Sequence, residues 1–235
     1  MRRRTKITIT AVIGVLIVGA AAAVIGPRVY RDYFAATPAE VPTLMAKEEA
    51  LSSAPTGPIT AESLSGTWSV MEGSEAGYRV DEVLNGVDVT VTGRGSGVTG
   101  ELTLDGTTLT TARFTVDVAS ITTDSRNRDA YFRDSALRVQ EFPNATFVLS
   151  APVKLSEIPT AGTVLEQQVV GDFTLAGVTR SMTFTVSLRT DGATTEIAAQ
   201  IPITFTDFGV TPPSLGFVSV ESTGFIELQL ILKQV

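Results

Sequence analysis

Met182-Thr183-Phe184-Thr185-Val186-Ser187-Leu188 alternates apolar and polar side chains over seven positions. A chain with that period presents one set of side chains to each face of an extended strand, so the stretch reads as a half-buried β-strand. The same alternation recurs in Phe114-Thr115-Val116-Asp117-Val118, in Val87-Asp88-Val89-Thr90-Val91 and in Ile226-Glu227-Leu228-Gln229-Leu230. One polar and one apolar face per strand is the signature of antiparallel pairing. Between the runs lie Asn85-Gly86, Asp105-Gly106, Ala176-Gly177 and Asp191-Gly192. The Asn-Gly and Asp-Gly pairs suit hairpin turns because they tolerate positive φ. From Ser63 onward the pattern predicts eight to ten strands in one all-β domain, closed as a barrel or stacked as a sandwich.

One segment departs from the period. Asp124 to Val139 carries Arg126, Arg128, Arg133 and Arg138 with Asp129 and Asp134 and does not alternate. Asp124 or Ser125 supplies a helix cap, so a short helix is predicted, serving as a lid on the barrel mouth or as a plain connector.

The amino-terminal region follows a different logic. Ile7 to Gly26 is a twenty-residue run without a charge, preceded by Arg2, Arg3, Arg4 and Lys6. Twenty helical residues span roughly 30 Å, the hydrocarbon thickness of a bilayer. The basic cluster predicts a cytoplasmic amino terminus and an extracytoplasmic remainder. A cleaved signal peptide is the alternative, with Ala20 to Ala23 as small residues for a peptidase, although its apolar core is usually shorter. Residues 27–62, interrupted by Pro38, Pro42, Pro55 and Pro58, read as a stalk. The expected organisation is therefore a basic tip and transmembrane anchor over 1–26, a stalk over 27–62 and a β-domain over 63–235. It places the protein in the cell membrane with one pass.

The composition removes most chemistries. The 235 residues contain no Cys and no His. Disulfides, thiolate zinc sites, cysteine nucleophiles, the Ser-His-Asp triad and histidine proton shuttles therefore lack their parts. Seven of the 18 Lys and Arg residues and five of the 25 Asp and Glu residues precede Ser63, leaving 11 against 20 beyond it. A β-domain of about −9 offers no basic face for nucleic acid and no attraction to anionic headgroups.

Several motifs have plainer readings than their patterns suggest. Gly93-Arg94-Gly95-Ser96-Gly97-Val98-Thr99-Gly100 resembles a phosphate-cradling loop, but strand-like Glu101-Leu102-Thr103-Leu104 follows where a helix is required. It reads as a hairpin turn or strand edge. Asp207-Phe208-Gly209 and Arg128-Asp129 lack the rest of a kinase signature. Asp81-Glu82 are strand neighbours pointing to opposite faces, unlike a glycosidase pair. Lys154 and Lys233, the only lysines of the domain, have no evident serine partner.

Read in order, five motifs resemble one family. They are Thr115-Val116-Asp117-Val118-Ala119-Ser120-Ile121-Thr122-Thr123-Asp124, Asn127-Arg128-Asp129-Ala130-Tyr131-Phe132-Arg133, Phe142-Pro143-Asn144-Ala145-Thr146-Phe147, Val170-Gly171-Asp172-Phe173-Thr174-Leu175-Ala176-Gly177-Val178-Thr179-Arg180 and Phe205-Thr206-Asp207-Phe208-Gly209. Together, from about Gly66 to Lys233, they resemble the YceI family of polyisoprenoid-binding proteins. The resemblance implies an extended lipocalin-like, eight-stranded antiparallel β-barrel, periplasmic or otherwise exported, whose elongated apolar pocket holds an isoprenoid or similar amphiphile. Some relatives pair through their barrels, so a homodimer stays open. The usual family histidines are missing: Ser125 and Tyr131 stand near Asp124 and Asp129, so no histidine headgroup contact carries over. Arg128, Asp129 and Arg133 remain and would order the lid through ion pairs.

Alternation proposes an inward set of Val89, Val91, Phe114, Val116, Phe147, Leu149, Phe173, Leu175, Met182, Phe184, Ile203, Phe205, Leu228 and Leu230. A solid core would use the same residues; with the resemblance they become the lining of a cavity, with Arg128, Asp129, Tyr131 and Phe132 at its lid or mouth. Burying one five-carbon isoprene unit is worth about 4 kcal/mol gross, so a few units suffice for tight binding after association costs. The expected function is a membrane-tethered, extracytoplasmic lipid-binding protein with no cofactor beyond the bound isoprenoid or other long-chain lipid. An exported structural or adhesive β-domain with a filled core is the alternative. An enzyme acting on the lipid ranks last, since neither acid–base machinery nor a metal site is visible.

Overall fold

The computed structural model describes residues 37–44 and 58–235. The expected membrane span, Ile7–Gly26, lies outside the described residues. Among those that are described, no helix is long and apolar enough to cross a membrane.

A single helical turn, α1 (Ala61–Leu64), opens the domain. It is held by a reciprocal cap in which the Thr60 hydroxyl accepts from Ser63 N–H at 3.2 Å and Ser63 Oγ accepts from Thr60 N–H at 2.9 Å. Twelve strands follow among the described residues: β1 (Gly66–Val70), β2 (Glu75–Leu84), β3 (Val87–Gly95), β4 (Val98–Asp105), β5 (Thr108–Asp117), β6 (Asn144–Leu149), β7 (Val153–Lys154), β8 (Leu165–Leu175), β9 (Val178–Thr190), β10 (Thr194–Thr204), β11 (Ser214–Leu215) and β12 (Val218–Gln234). Every pairing between them is antiparallel.

Eleven of these strands make eight staves, and β11 pairs only with β12 as a short hairpin. Trp68 pairs with Gln234 and Leu102, while Ala76 pairs with Leu228 and Gly95, so β1 and β2 form one kinked stave and β3 and β4 its partner. Likewise β6 and β7 both lie along β5. The ring then runs through β5, β6, β8, β9, β10 and β12 and closes where β12 meets β1. The result is a closed eight-stranded antiparallel barrel, as the resemblance implies, where the alternation alone left barrel and sandwich open. Closure removes exposed sheet edges. The turn at Asn85 (φ 51°) and Gly86 (φ 78°) has two positive φ values in succession. This is the hairpin geometry that Asn-Gly favours.

The barrel is closed by strand pairing only in its lower half. β5 ends at Asp117, and the chain leaves the sheet as a 3-10 turn (Val118–Ser120) capped by the Asp117 carboxylate on Ala119 N–H at 2.9 Å. It touches β3 again at a single bridge, Arg94 to Thr122. The short helix expected here is α2 (Arg126–Tyr131), running on into one π-helical turn (Phe132–Ala136). Together they fill the wall that strands leave open. The glycine-rich stretch belongs to this junction: a Cβ at Gly95 or Gly97 would lie 2.5 or 2.6 Å from Ser120 Oγ. Those glycines make room for the 3-10 turn and cradle no phosphate.

The segment expected as a stalk is partly built into the domain. Leu64 and half-buried Ile59 pack into the lower core around Trp68. Residues 37–44 run along the outside of β2 and β3: Ala39 N–H donates to Thr92 Oγ1 at 2.9 Å, and Arg79 Nη2 donates to the Ala39 carbonyl at 2.5 Å.

Candidate functional site

Inside the barrel the inward faces do not meet. A lower cavity of about 130 Å³ and an upper cavity of about 560 Å³ share the wall residues Val116, Ala145, Phe173, Ile226 and Leu228. The two are therefore neighbouring compartments along the barrel, meeting at a waist formed by these five residues. The upper volume falls in the range of about 300–1,000 Å³ usual for small-molecule sites. The lower compartment is close to a void of about 150 Å³ that stays dry when its lining is apolar.

Eleven of the fourteen residues expected to face inward line this space. Phe114, Phe147, Leu149, Phe184 and Leu230 border the lower compartment; Leu175, Ile203 and Phe205 border the upper; Val116, Phe173 and Leu228 border both. Val89, Val91 and Met182 do not line it. Met182 packs between two hydrophobic clusters in the wall. Val89 and Val91 border a separate crevice with Thr37–Ala39, Thr122–Asp124 and Arg128. The reason is local: β3 lies beyond the part of the ring that closes by strand pairing, so its side chains meet the lid segment.

The floor is Leu64 and Trp68, both buried, with Trp68 Nε1 donating to the Leu64 carbonyl at 3.0 Å. This end of the cavity escaped sequence reasoning, although the lone tryptophan beside a capped turn was a usable signal. A further omission is the segment from Pro212 through Val220. Pro212, Pro213, Leu215, Phe217, Val218 and Val220 line the upper compartment, but Pro and Gly interrupt their alternation.

Of the four expected lid residues, Arg128, Tyr131 and Phe132 line the upper compartment and Asp129 lies buried behind it. Ser125 caps α2, its hydroxyl accepting from Arg128 N–H at 3.4 Å. Asp129 Oδ1 accepts from Thr123 N–H and Thr123 Oγ1, each at 2.8 Å, which ties the helix to the incoming chain. Arg128 makes ion pairs with Asp124 at 2.7 Å and with buried Glu82 of β2 at 2.9 Å, fastening the lid to the barrel. Burial disfavours the Arg128 cation, but the Glu82 hydrogen bond and charge outweigh it and hold the guanidinium above its usual pKa. Phe132 stacks on Tyr78 with ring centroids 4.9 Å apart. Burial pushes the Tyr78 phenol well above its ordinary pKa, so it stays neutral in this wall.

The cavity wall is almost wholly apolar, and among the described residues no group of three or more acidic side chains gathers as a metal site. What the space offers is an apolar lining along the inside of the barrel.

The comparisons agree with this geometry. The model of the YceI-like domain family matches residues 68–232. A solved polyisoprenoid binding domain from Saccharophagus degradans, implicated in plant cell wall breakdown, is similar with a TM-score of 0.57 at 15% identity, covering 72% of this chain and 98% of that one. BcnA from Burkholderia cenocepacia is similar with a TM-score of 0.51 at 23% identity, covering 66% and 95%. At these identities the two structures show the shared fold. No curated protein matches the sequence.

Proposed function

The chain belongs to the YceI-like family, and from that premise we propose that it is a membrane-tethered, extracytoplasmic protein that holds one polyisoprenoid or similar long-chain lipid inside its barrel. The observation that carries this reading is the pair of apolar compartments that follow one another from the Tyr131–Phe217 end, past the Val116–Phe173 waist, to Trp68. Two apolar compartments in line along a barrel suit a chain better than a compact ligand. Its walls offer burial rather than hydrogen bonds, so selectivity would rest on length and girth. The description of the Saccharophagus degradans domain as polyisoprenoid binding points the same way.

Tethering rests on Ile7–Gly26 and the basic residues before it. With the amino terminus cytoplasmic, the barrel works outside, shielding a prenyl chain from water. The test is lipid extraction and mass analysis of the purified full chain, followed by reloading of the delipidated protein with prenyl alcohols of graded length. Recovery and uptake of one chain per protein is expected. A delipidated protein that takes up none would overturn the reading and leave a structural or adhesive β-domain.

A further inference from the structure

The upper compartment has an apolar rim. Tyr131 (37% exposed), Leu215 (53%) and Phe217 (60%) all line the cavity and all reach solvent. Leu215 and Phe217 stand at the tip of the β11–β12 hairpin, where Ser214 pairs with Ser219 and Leu215 with Val218. The stretch from Phe208 to Val220 carries no charge, in a domain of about −9 from Ser63 onward. An exposed apolar, uncharged projection continuous with a lipid-sized slot is uncommon on a freely dissolved surface.

The strap at residues 37–44 shows which way the tip faces. Glu227 on the outer face of β12 is wholly buried; it accepts from Arg79 Nε at 2.7 Å and is paired with Arg94. The same two arginines reach outward to the strap, Arg79 to the Ala39 carbonyl at 2.5 Å and Arg94 to the Glu40 carbonyl at 3.3 Å. Going backwards along the strap, Thr37 lies in the crevice that also holds Leu84 and Val89, beside the Asn85-Gly86 turn. Asn85 N–H in turn donates to the Phe217 carbonyl at 2.7 Å. Thr37 therefore stands toward the mouth end. Only residues 27–36 separate it from the end of the Ile7–Gly26 run. Ten residues cannot span more than about 36 Å.

We propose that the rim formed by Tyr131, Leu215 and Phe217 docks on the lipid bilayer, with the mouth facing the membrane and the Phe217 tip dipping into its interface, so that a chain passes between bilayer and barrel without crossing water. The proposal rests on the anchor proposed above for its tether. Its contact is apolar: acidic lipids oppose it through the charge of the domain, and added salt leaves binding to neutral lipid unchanged.

The absence of native cysteine allows a direct test. Gly216 has open space where a Cβ would stand, so Gly216→Cys carries an environment-sensitive dye with little disturbance. Asp105→Cys carries the same dye on the turn at the closed end. Each labelled full chain is placed in phosphatidylcholine nanodiscs with and without nitroxide-bearing acyl chains. The expected result is a blue shift and nitroxide quenching at position 216, neither at position 105, and loss of both when Phe217→Asp is added to Gly216→Cys. Equal, unquenched emission at both positions would overturn the proposal. If the full chain instead elutes free of nanodiscs, the anchor reading fails. The labelled chain is then mixed with phosphatidylcholine vesicles: quenching at 216 alone sustains the docking rim, and no quenching refutes it.

Discussion

Glu227 shows how much one side chain can hold together. It sits wholly buried on the outer face of the barrel, with Arg79 Nε and Gln200 Nε2 each donating at 2.7 Å and Arg94 paired to its other oxygen. Removing Glu227 leaves Arg79 and Arg94 without their buried counter-charge, so Glu227→Ala should destabilise the fold by about 3–5 kcal/mol, read from urea unfolding. Tyr78 carries the pH dependence of the upper wall. In the unfolded chain its phenol ionises near pH ~10, whereas burial keeps it protonated to higher pH in the folded state. Its stabilising contribution is therefore complete below pH ~10 and is lost as pH rises towards the folded value. The drop in urea midpoint between pH 9 and 11 should shrink in Tyr78→Phe; an unchanged drop would assign it elsewhere. Neither role was legible in the sequence. Glu227 occupies an ordinary outward position in the Ile226–Leu230 alternation, and its burial depends on arginines 133 and 148 residues away.

The strands were the legible elements, because period-two alternation and Asn-Gly turns are local and β-pairing only has to respect them. Val89 and Val91 alternate correctly yet miss the cavity, since what lies opposite β3 is decided by where β5 leaves the sheet, a tertiary fact. The lid was legible as an interruption with a capping serine but not as a wall. Its attachment is the Arg128 ion pair to Glu82 and the Ser125 cap. Ser125→Ala should destabilise α2 by about 1 kcal/mol, visible as faster hydrogen exchange confined to the segment around residues 125–137. Arg128→Ala should loosen the same segment further and shorten the residence time of a bound chain in a competition assay. Unchanged exchange and unchanged release would show that the lid is held instead by the Asp129–Thr123 hydrogen bonds and the Tyr78–Phe132 packing. The Pro212–Val220 segment was illegible for the opposite reason: prolines and glycine break its period, so its apolar residues carry no facing information until the hairpin is formed.

At the scale of the whole molecule, an eight-stave barrel could have been filled, and the composition would look the same. Here the facing side chains leave two neighbouring compartments, a larger one above the waist and a smaller one below it. Chain length should therefore be read by depth. Ala145 lines both compartments, and Ala145→Phe should block the waist. Short prenyl chains would still bind while longer ones lose affinity, which a length series of prenyl alcohols measures directly. The measurement closest to the centre of the proposal is native mass spectrometry of the full chain released gently from membranes. One prenyl-type chain per polypeptide, displaced stoichiometrically by an added prenyl alcohol, is the result expected of a lipid carrier. A lipid-free polypeptide that acquires no mass when prenyl alcohol is supplied would contradict it.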